Sequence, residues 1–456
     1  MHPHPHHHHH HHQQQLKHSS QLRHFGAKLT SLNVHTIYCD FDQRALPHKQ
    51  RDGKFSVCKM RSSVDLLLLL TYSAACLRLA ASLENGLART PPMGWRSWNL
   101  YGDDVSQEMM KSQMDGLTKR NRIIGGKPTS LADLGYRDVG LDDAWQMCGS
   151  YGPNEYTFHD VHGKPMVNLT RFPDLKTLTD YGHDLNLTVG WYGNNCICED
   201  HCVTHSCYEE DVSALLEFGF DSYKIDGCGK QLDLQKYSDL IADRGAKILI
   251  ENCHWGYTIP SYTEDGELDC PYNYYRSSQD IRSSYASVMN NLLTIDPLSK
   301  ANLSVPGCWA YPDMLEMGVK NIVAPDGSVG SDVGLSFYEA RTHFGAWCIT
   351  SSPLILSHDL NDEKLEDNIW EIIANNEAIS VNQAYMGDSG SMFLASHKIV
   401  NMKGFSDNGV MGSPVIVHSW QQWSKKLKDN VAGTLNFLSC LGSMRVASIY
   451  TYSSFA

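Results

Sequence analysis

Positive charge is scarce in this 456-residue sequence: 38 Lys and Arg stand against 51 Asp and Glu, a formal net charge of −13. Nucleic acids and anionic membranes reward a basic surface, so this balance argues against both as partners. Long apolar runs are lacking too. The run Leu66 to Cys76 is shorter than the ~20 residues a membrane span requires, which argues against membrane insertion. No Gly-x-Gly-x-x-Gly follows the first strand candidate, so the dinucleotide-binding fingerprint is missing. What remains is ordinary for a globular enzyme, with 42% hydrophobic and 20% charged residues. A neutral ligand such as a sugar suits this chain. Ten Trp and 22 Tyr suit a sugar as well, although a core would use most of them.

Residues 1–59 have no sustained period and open on a His/Pro tract followed by a Gln run. They are expected to stand outside the folded part, although a His tract can bind metal. Residues 60–82 read as a signal peptide: Arg61 supplies the positive end, Leu66 to Cys76 the apolar run, and Ala80-Ala81-Ser82 the small residues for cleavage. An internal buried helix is the other reading. Cysteine usage fits secretion, since 11 of the 14 follow residue 83. Five of these crowd together: Cys196, Cys198, Cys202, Cys207 and Cys228. With His201 and His205 among them they suit a zinc site or, in an oxidising compartment, disulfides. Sequons begin at Asn168, Asn186 and Asn302. The expected location is outside the cell or, through the secretory pathway, the lysosome or vacuole.

From Pro91 to about Gln383 one pattern recurs, a short apolar or β-branched run followed by an amphipathic stretch. Eight strand candidates result: Pro92–Trp98, Tyr136–Trp145, Leu187–Gly193, Ser222–Asp226, Lys247–Cys253, Tyr274–Ser278, Val305–Trp309 and Ala346–Thr350. Helix candidates such as Glu209–Phe218 and Leu234–Asp243 fall between them. Such alternation builds a parallel sheet, and eight units favour a closed (β/α)8 TIM barrel at residues 85–385. Residues 386–456 are expected to form a short, incomplete C-terminal antiparallel β-domain, with Ser413–Ser439 as two strands around a turn at Lys425–Asn430.

Barrel enzymes carry their chemistry at the C-terminal ends of the strands. There, Lys224 and Asp226 alternate to the same side of one strand, where a Lys lowers the carboxyl pKa and keeps a nucleophile ionised. A buried structural ion pair is the plain alternative. Arg276 and Asp280, four apart, offer a rigid fork of donors and a carboxylate, or merely an exposed salt bridge. Asp142-Asp143 is a carboxylate doublet suited to accepting sugar hydroxyls; calcium is its rival, but no regular series of oxygen ligands follows. Trp95, Trp98, Trp145 and Trp191 suit either stacking on a pyranose or the core.

Six stretches in order carry a resemblance: Pro92–Asn99, Gly140–Trp145, Tyr223–Cys228, Arg276–Ile281, Pro312–Leu315 and Asn376–Gln383. Together they resemble the motifs of glycoside hydrolase family 27, the melibiase or α-galactosidase family. The resemblance implies a retaining (β/α)8 hydrolase with no metal or organic cofactor, acting on α-galactoside oligosaccharides or glycoconjugates. It implies Asp226 as nucleophile and Asp280 as acid/base. Trp98, Asp142, Asp143, Lys224 and Arg276 match galactose-contacting positions, Asp313 matches a further pocket position, and Cys228 and His254 are placed with them. Trp423–Leu427 echoes the family's C-terminal β-sandwich. Three departures stand out: Arg96 where Asn is usual, Cys308–Tyr311 before Pro312, and His254 where α-galactosidases usually carry Glu. His254 and Tyr257 are expected to face the sugar's 2-substituent and to exclude an acetamido group. An α-N-acetylgalactosaminidase, a β-L-arabinopyranosidase and a non-catalytic sugar-binding protein are the competing readings, with a zinc-dependent hydrolase behind them.

Overall fold

The computed structural model describes residues 83–148, 158–198, 207–319 and 334–396, with strand backbone at 398–400, 415–417, 420–428, 431–438 and 448–453. The His-rich segment, the expected signal peptide, and His201, Cys202 and His205 lie outside the described residues.

Eight short strands form the barrel: β1 (Met93–Arg96), β2 (Asp138–Gly140), β3 (Thr188–Gly193), β4 (Ser222–Asp226), β5 (Leu249–Cys253), β6 (Tyr274–Arg276), β7 (Trp309–Tyr311) and β8 (Leu354–Leu356). All pair in parallel in the order β7-β6-β5-β4-β3-β2-β1-β8. Just past β7, Leu315 N–H donates to the Ile355 carbonyl of β8 at 2.8 Å, which links the two ends of the series. The architecture is a (β/α)8 barrel with a small antiparallel sheet after it.

Strand alternation sorts the side chains. Trp95, Val139, Val189, Trp191, Tyr223, Ile225 and Ile250 face outward into the main core beneath the helices. Each such side chain contributes about 1.5–3 kcal/mol by leaving water. The opposite alternation turns Arg96, Asp138, Tyr192, Ser222, Lys224, Asp226, Glu251 and Arg276 inward, all of them buried. Barrel interiors are ordinarily filled by branched apolar residues. This one is largely polar, which is what shapes its upper end.

The helices start where short polar residues cap them. Ser106 accepts from Met109 N, Asp174 from Thr177 N, and Asp233 from Lys236 N. Each satisfies an N–H that has no partner in its own helix. Leu234–Asp243 then buries Leu234, Tyr237, Ser238 and Ile241 at helical spacing. Tyr208–Phe218 and Leu234–Asp243 lie where the sequence places them.

Two strand assignments are corrected. Ala346–Thr350 is not the eighth strand but the end of helix Phe337–Ile349, which opens on a capping box between Ser336 and Glu339. Nearly every residue from Thr342 to Ile349 is buried, so no polar face marks a helical period and the run reads like a buried strand. The strand follows it, at Leu354–Leu356. The seventh strand begins at Trp309, because Val305–Cys308 folds back on itself around Pro306 and the left-handed Gly307. Between β5 and β6 the chain forms a small hairpin, Ser261–Tyr262 with Leu268–Asp269, in place of a helix.

Beyond residue 390, Ser391–Ala395, Trp420–Lys428, Val431–Leu438 and Ser448–Ser453 pair as an antiparallel meander in chain order. Lys425 to Lys428 therefore belong to a strand, not to the expected turn. Lys425 Nζ reaches the carbonyls of Val381 (2.5 Å) and Asn382 (3.1 Å), which fastens this sheet to the end of helix Asn376–Gln383.

Candidate active site

The upper ends of the strands assemble a charged floor. From β4, Lys224 Nζ donates to Asp142 Oδ2 at 2.9 Å, and its ammonium also lies 5.3 Å over the Tyr192 ring. Burial acts to raise the Asp142 carboxyl, but Lys224 and then Arg96 outweigh it and hold the group below the usual carboxylate range. The doublet's cation thus comes from other strands, invisible in linear sequence. Asp143 turns the other way: its Oδ2 accepts from Cys196 and Ile197 N–H at 3.2 Å each, and burial pushes it up to about 6.

Asp226 ends β4 almost fully buried. Its Oδ1 accepts from Gly227 N–H at 2.6 Å, and Asn194 Nδ2 donates to its backbone carbonyl at 2.5 Å, while the Tyr192 hydroxyl turns to Cys196 Sγ at 3.5 Å. The sequence suggests that Lys224 lowers the Asp226 pKa. In the fold burial prevails over Lys224, the Asp142 charge adds to it, and Asp226 rises to about 7.

Arg276 ends β6 with its guanidinium 2.8 Å from Asp313 Oδ2 and 3.1 Å from Asp280 Oδ1. The Arg is buried while the Asp280 side chain is 64% exposed, so the pair points from the interior to the mouth of the cleft. Asp313 holds a left-handed backbone (φ 85°), unusual for a side chain with a Cβ. It is fixed there by Trp347 Nε1 donating to its carbonyl at 2.7 Å and by Ile281 N–H donating to Oδ2.

One cleft gathers Asp226, Asp280, Asp142, Asp143, Lys224, Arg276, Asp313 and Trp98. Asn99, Tyr192, Cys196, Trp255 and Met314 join them, and the sequence reading missed these. Register offered one signal, since Tyr192 lies two residues after the inward Gly190 on β3. Trp255 enters the lining through its own left-handed backbone (φ 49°), which no linear pattern announces. Trp95, Trp145 and Trp191 belong to the core.

Cys228 and His254 are not among the lining residues. Cys228 is bridged to Cys196, and it is Cys196 that faces the cleft. His254 turns its Nδ1 to Thr258 Oγ1 at 3.0 Å, and burial lowers its pKa to about 4. Tyr257 is 79% exposed to solvent. Neither supplies the expected wall; Trp255, between them, is the loop's contribution.

Among the described residues of the cysteine cluster, Cys196, Cys198, Cys207 and Cys228 are all disulfide-bonded. Cys148–Cys198 and Cys196–Cys228 tie together the loops after β2, β3 and β4. A third described bridge, Cys270–Cys308, joins the β5–β6 connection to the start of β7. Cys196, Cys228 and Asp226 do bring ligand-type atoms within 4.8 Å of one another, but bridged sulfurs have no thiolate to offer a metal. Among the described residues no helix is long and apolar enough to cross a membrane.

Known proteins resemble this chain. Residues 90–384 match the family model described as melibiase, alpha galactosidase A. An α-galactosidase from Cyamopsis tetragonoloba is 29% identical over 338 residues, 72% of either chain. An α-N-acetylgalactosaminidase from Gallus gallus is also 29% identical, over 68% of this chain and 75% of its own. The α-galactosidase structure from Saccharomyces cerevisiae superposes with a TM-score of 0.59 at 21% identity, covering 79% of this chain and 76% of that one. A polar barrel mouth of this composition and a family model spanning the whole barrel lead to one assignment: the chain belongs to the melibiase, or α-galactosidase, family of glycoside hydrolases.

Proposed function

We propose that the protein is a retaining exo-glycosidase that removes terminal α-D-galactosyl groups from oligosaccharides or glycoconjugates, with no metal or organic cofactor. The observation that carries the reading is that Asp226 and Asp280 open onto the same small cleft, one enclosed and one at its mouth. In the first step Asp226, ionised, attacks the anomeric carbon while Asp280 gives its proton to the departing oxygen, and a covalent glycosyl-enzyme forms. In the second, Asp280 takes a proton from water, whose oxygen displaces Asp226 from the same carbon. Two inversions return the α-anomer. Asp142 and Asp143 accept from sugar hydroxyls, Lys224 and Arg276 donate to them, and Trp98 and Trp255 offer apolar faces.

A second reading, α-N-acetylgalactosaminidase, draws support from the similarity of the Gallus gallus enzyme; β-L-arabinopyranosidase and sugar binding without turnover stand behind it. Three described disulfides support a secretory-pathway or extracellular location. A panel of aryl glycosides on purified protein tests the proposal. It expects turnover of the α-galactoside with the α-anomer released first; a clear preference for the α-N-acetylgalactosaminide selects the second reading, and early β-anomer rejects retention.

A further inference from the structure

The barrel interior holds a cation that none of these chemical steps uses. Arg96, closing β1, is 2% exposed and places Nη2 at 2.7 Å from Glu251 Oε2 of β5. Strands β1 and β5 are not neighbours in the sheet, so this pair spans the interior. Tyr274 Oη donates to the same Glu251 oxygen at 2.8 Å and accepts from Arg96 Nη2 at 3.3 Å. On its other side the guanidinium faces the cleft floor: Nη1 lies 3.9 Å from Asp142 Oδ2, the oxygen that Lys224 also holds. Arg96 Nε and Nη1 are buried without a hydrogen-bond partner, so the fork has donors in reserve beside Asp142. The strand next door makes room for it. A Cβ on Gly140 would stand 2.8 Å from Arg96 Cζ, so β2 has no side chain where the guanidinium passes.

We propose that Arg96 is a positioning residue: anchored by Glu251, it is the second cation that, with Lys224, holds Asp142 as a carboxylate oriented toward the sugar. The inference rests on the cleft being the glycoside site proposed above. Two cations on Asp142, and Glu251 answering Arg96, leave the group of four electrically balanced in a place where an unpaired charge is costly. The groups acting on Asp142 are Arg96 from β1, Asp143 beside it, Tyr192 from β3, and Lys224 and Asp226 from β4, while buried Asp138 of β2 also faces Arg96. Glu251 from β5 acts through Arg96.

The test pairs Arg96→Met with Glu251→Gln, which removes both charges and strands neither. Carbon-13 NMR of Cγ-labelled aspartate follows the Asp142 titration, and aryl α-galactoside kinetics follow binding. In the folded double variant the Asp142 midpoint is expected to rise by about one pH unit or more, as for loss of a cation some 4 Å away. KM is expected to rise about tenfold, with kcat changed less. Arg96→Lys keeps the charge without the fork: its midpoint should stay near that of the parent while KM rises. A folded double variant with unchanged midpoint and KM overturns the proposal. Should the double variant not fold, Arg96→Lys with lowered thermal stability but unchanged KM overturns it equally. Should the parent protein hydrolyse no glycoside, the function reading fails while the titration still decides the role of Arg96.

Discussion

Lys224 reaches across β3 to donate to Asp142 at 2.9 Å, although Asp226 lies only two residues away on its own strand. That choice leaves Asp226 with a backbone N–H and longer-range attraction alone. One carboxylate of the cleft is therefore held ionised and the other is held near its titration point.

Asp226→Ala should lower kcat by about 10³-fold or more while circular dichroism shows the parent's secondary structure. Azide should restore part of the turnover by occupying the vacated space, and its glycosyl azide product should have the β-configuration. Near-parental activity without azide would remove Asp226 from the nucleophile's role.

The Asp226 pKa of about 7 makes a linked statement about activity and stability. In the free protein the nucleophile is protonated below that value, so kcat/KM should fall about tenfold per pH unit beneath it. For stability, the folded pKa lies above the unfolded one of ~3.9. The unfolded chain therefore sheds the proton first, and stability declines as pH rises from about 4 to about 7. Asp226→Asn removes that cost, so it should stabilise the fold at pH 7 by roughly 1–4 kcal/mol and by nothing at pH 4. Equal melting shifts at both pH values would contradict the assigned burial effect.

His254 is expected to stay neutral down to about pH 4, because burial penalises its charged form. An inflection in KM near the imidazole's ordinary ~6.5, which a sugar-facing His254 would produce, should therefore be absent. His343 is lowered to about 3, again by burial, and its Nε2 accepts from Glu316 N–H at 3.0 Å. Both groups bind a proton in the unfolded chain before the folded one. Their contribution to stability is complete above ~6.5 and is lost as pH falls toward about 4 for His254 and about 3 for His343. Imidazole titration by NMR checks both, and a His254 midpoint near 6.5 would count against the described packing.

Peptide mapping without reduction should recover Cys148 linked to Cys198, Cys196 to Cys228, and Cys270 to Cys308. Replacing Cys196 and Cys228 together by Ser should cost about 2–4 kcal/mol and also raise KM, since Cys196 N–H helps hold Asp143. Stoichiometric zinc bound at these sulfurs, with activity lost to a chelator, would refute the disulfide assignment.

The linear sequence by itself determined the barrel, six of its strands and the residues that turn inward at their ends. Those features follow from local rules: alternation along a strand, helical spacing between strands, and capping residues at helix starts. It did not determine where Phe337–Ile349 ends and β8 begins, because the helix is buried on all sides from Thr342 onward and carries no polar face there to reveal its period. It named Lys224 and Asp226 as neighbours but could not say that Lys224 pairs with Asp142, or that Arg96 meets Glu251 across the interior. It placed His254 and Cys228 in the cleft where Trp255 and Cys196 stand. Only the closed barrel decided these points, since a charge's partner and its degree of burial are set by strands far apart in sequence that the closure brings within a few ångströms.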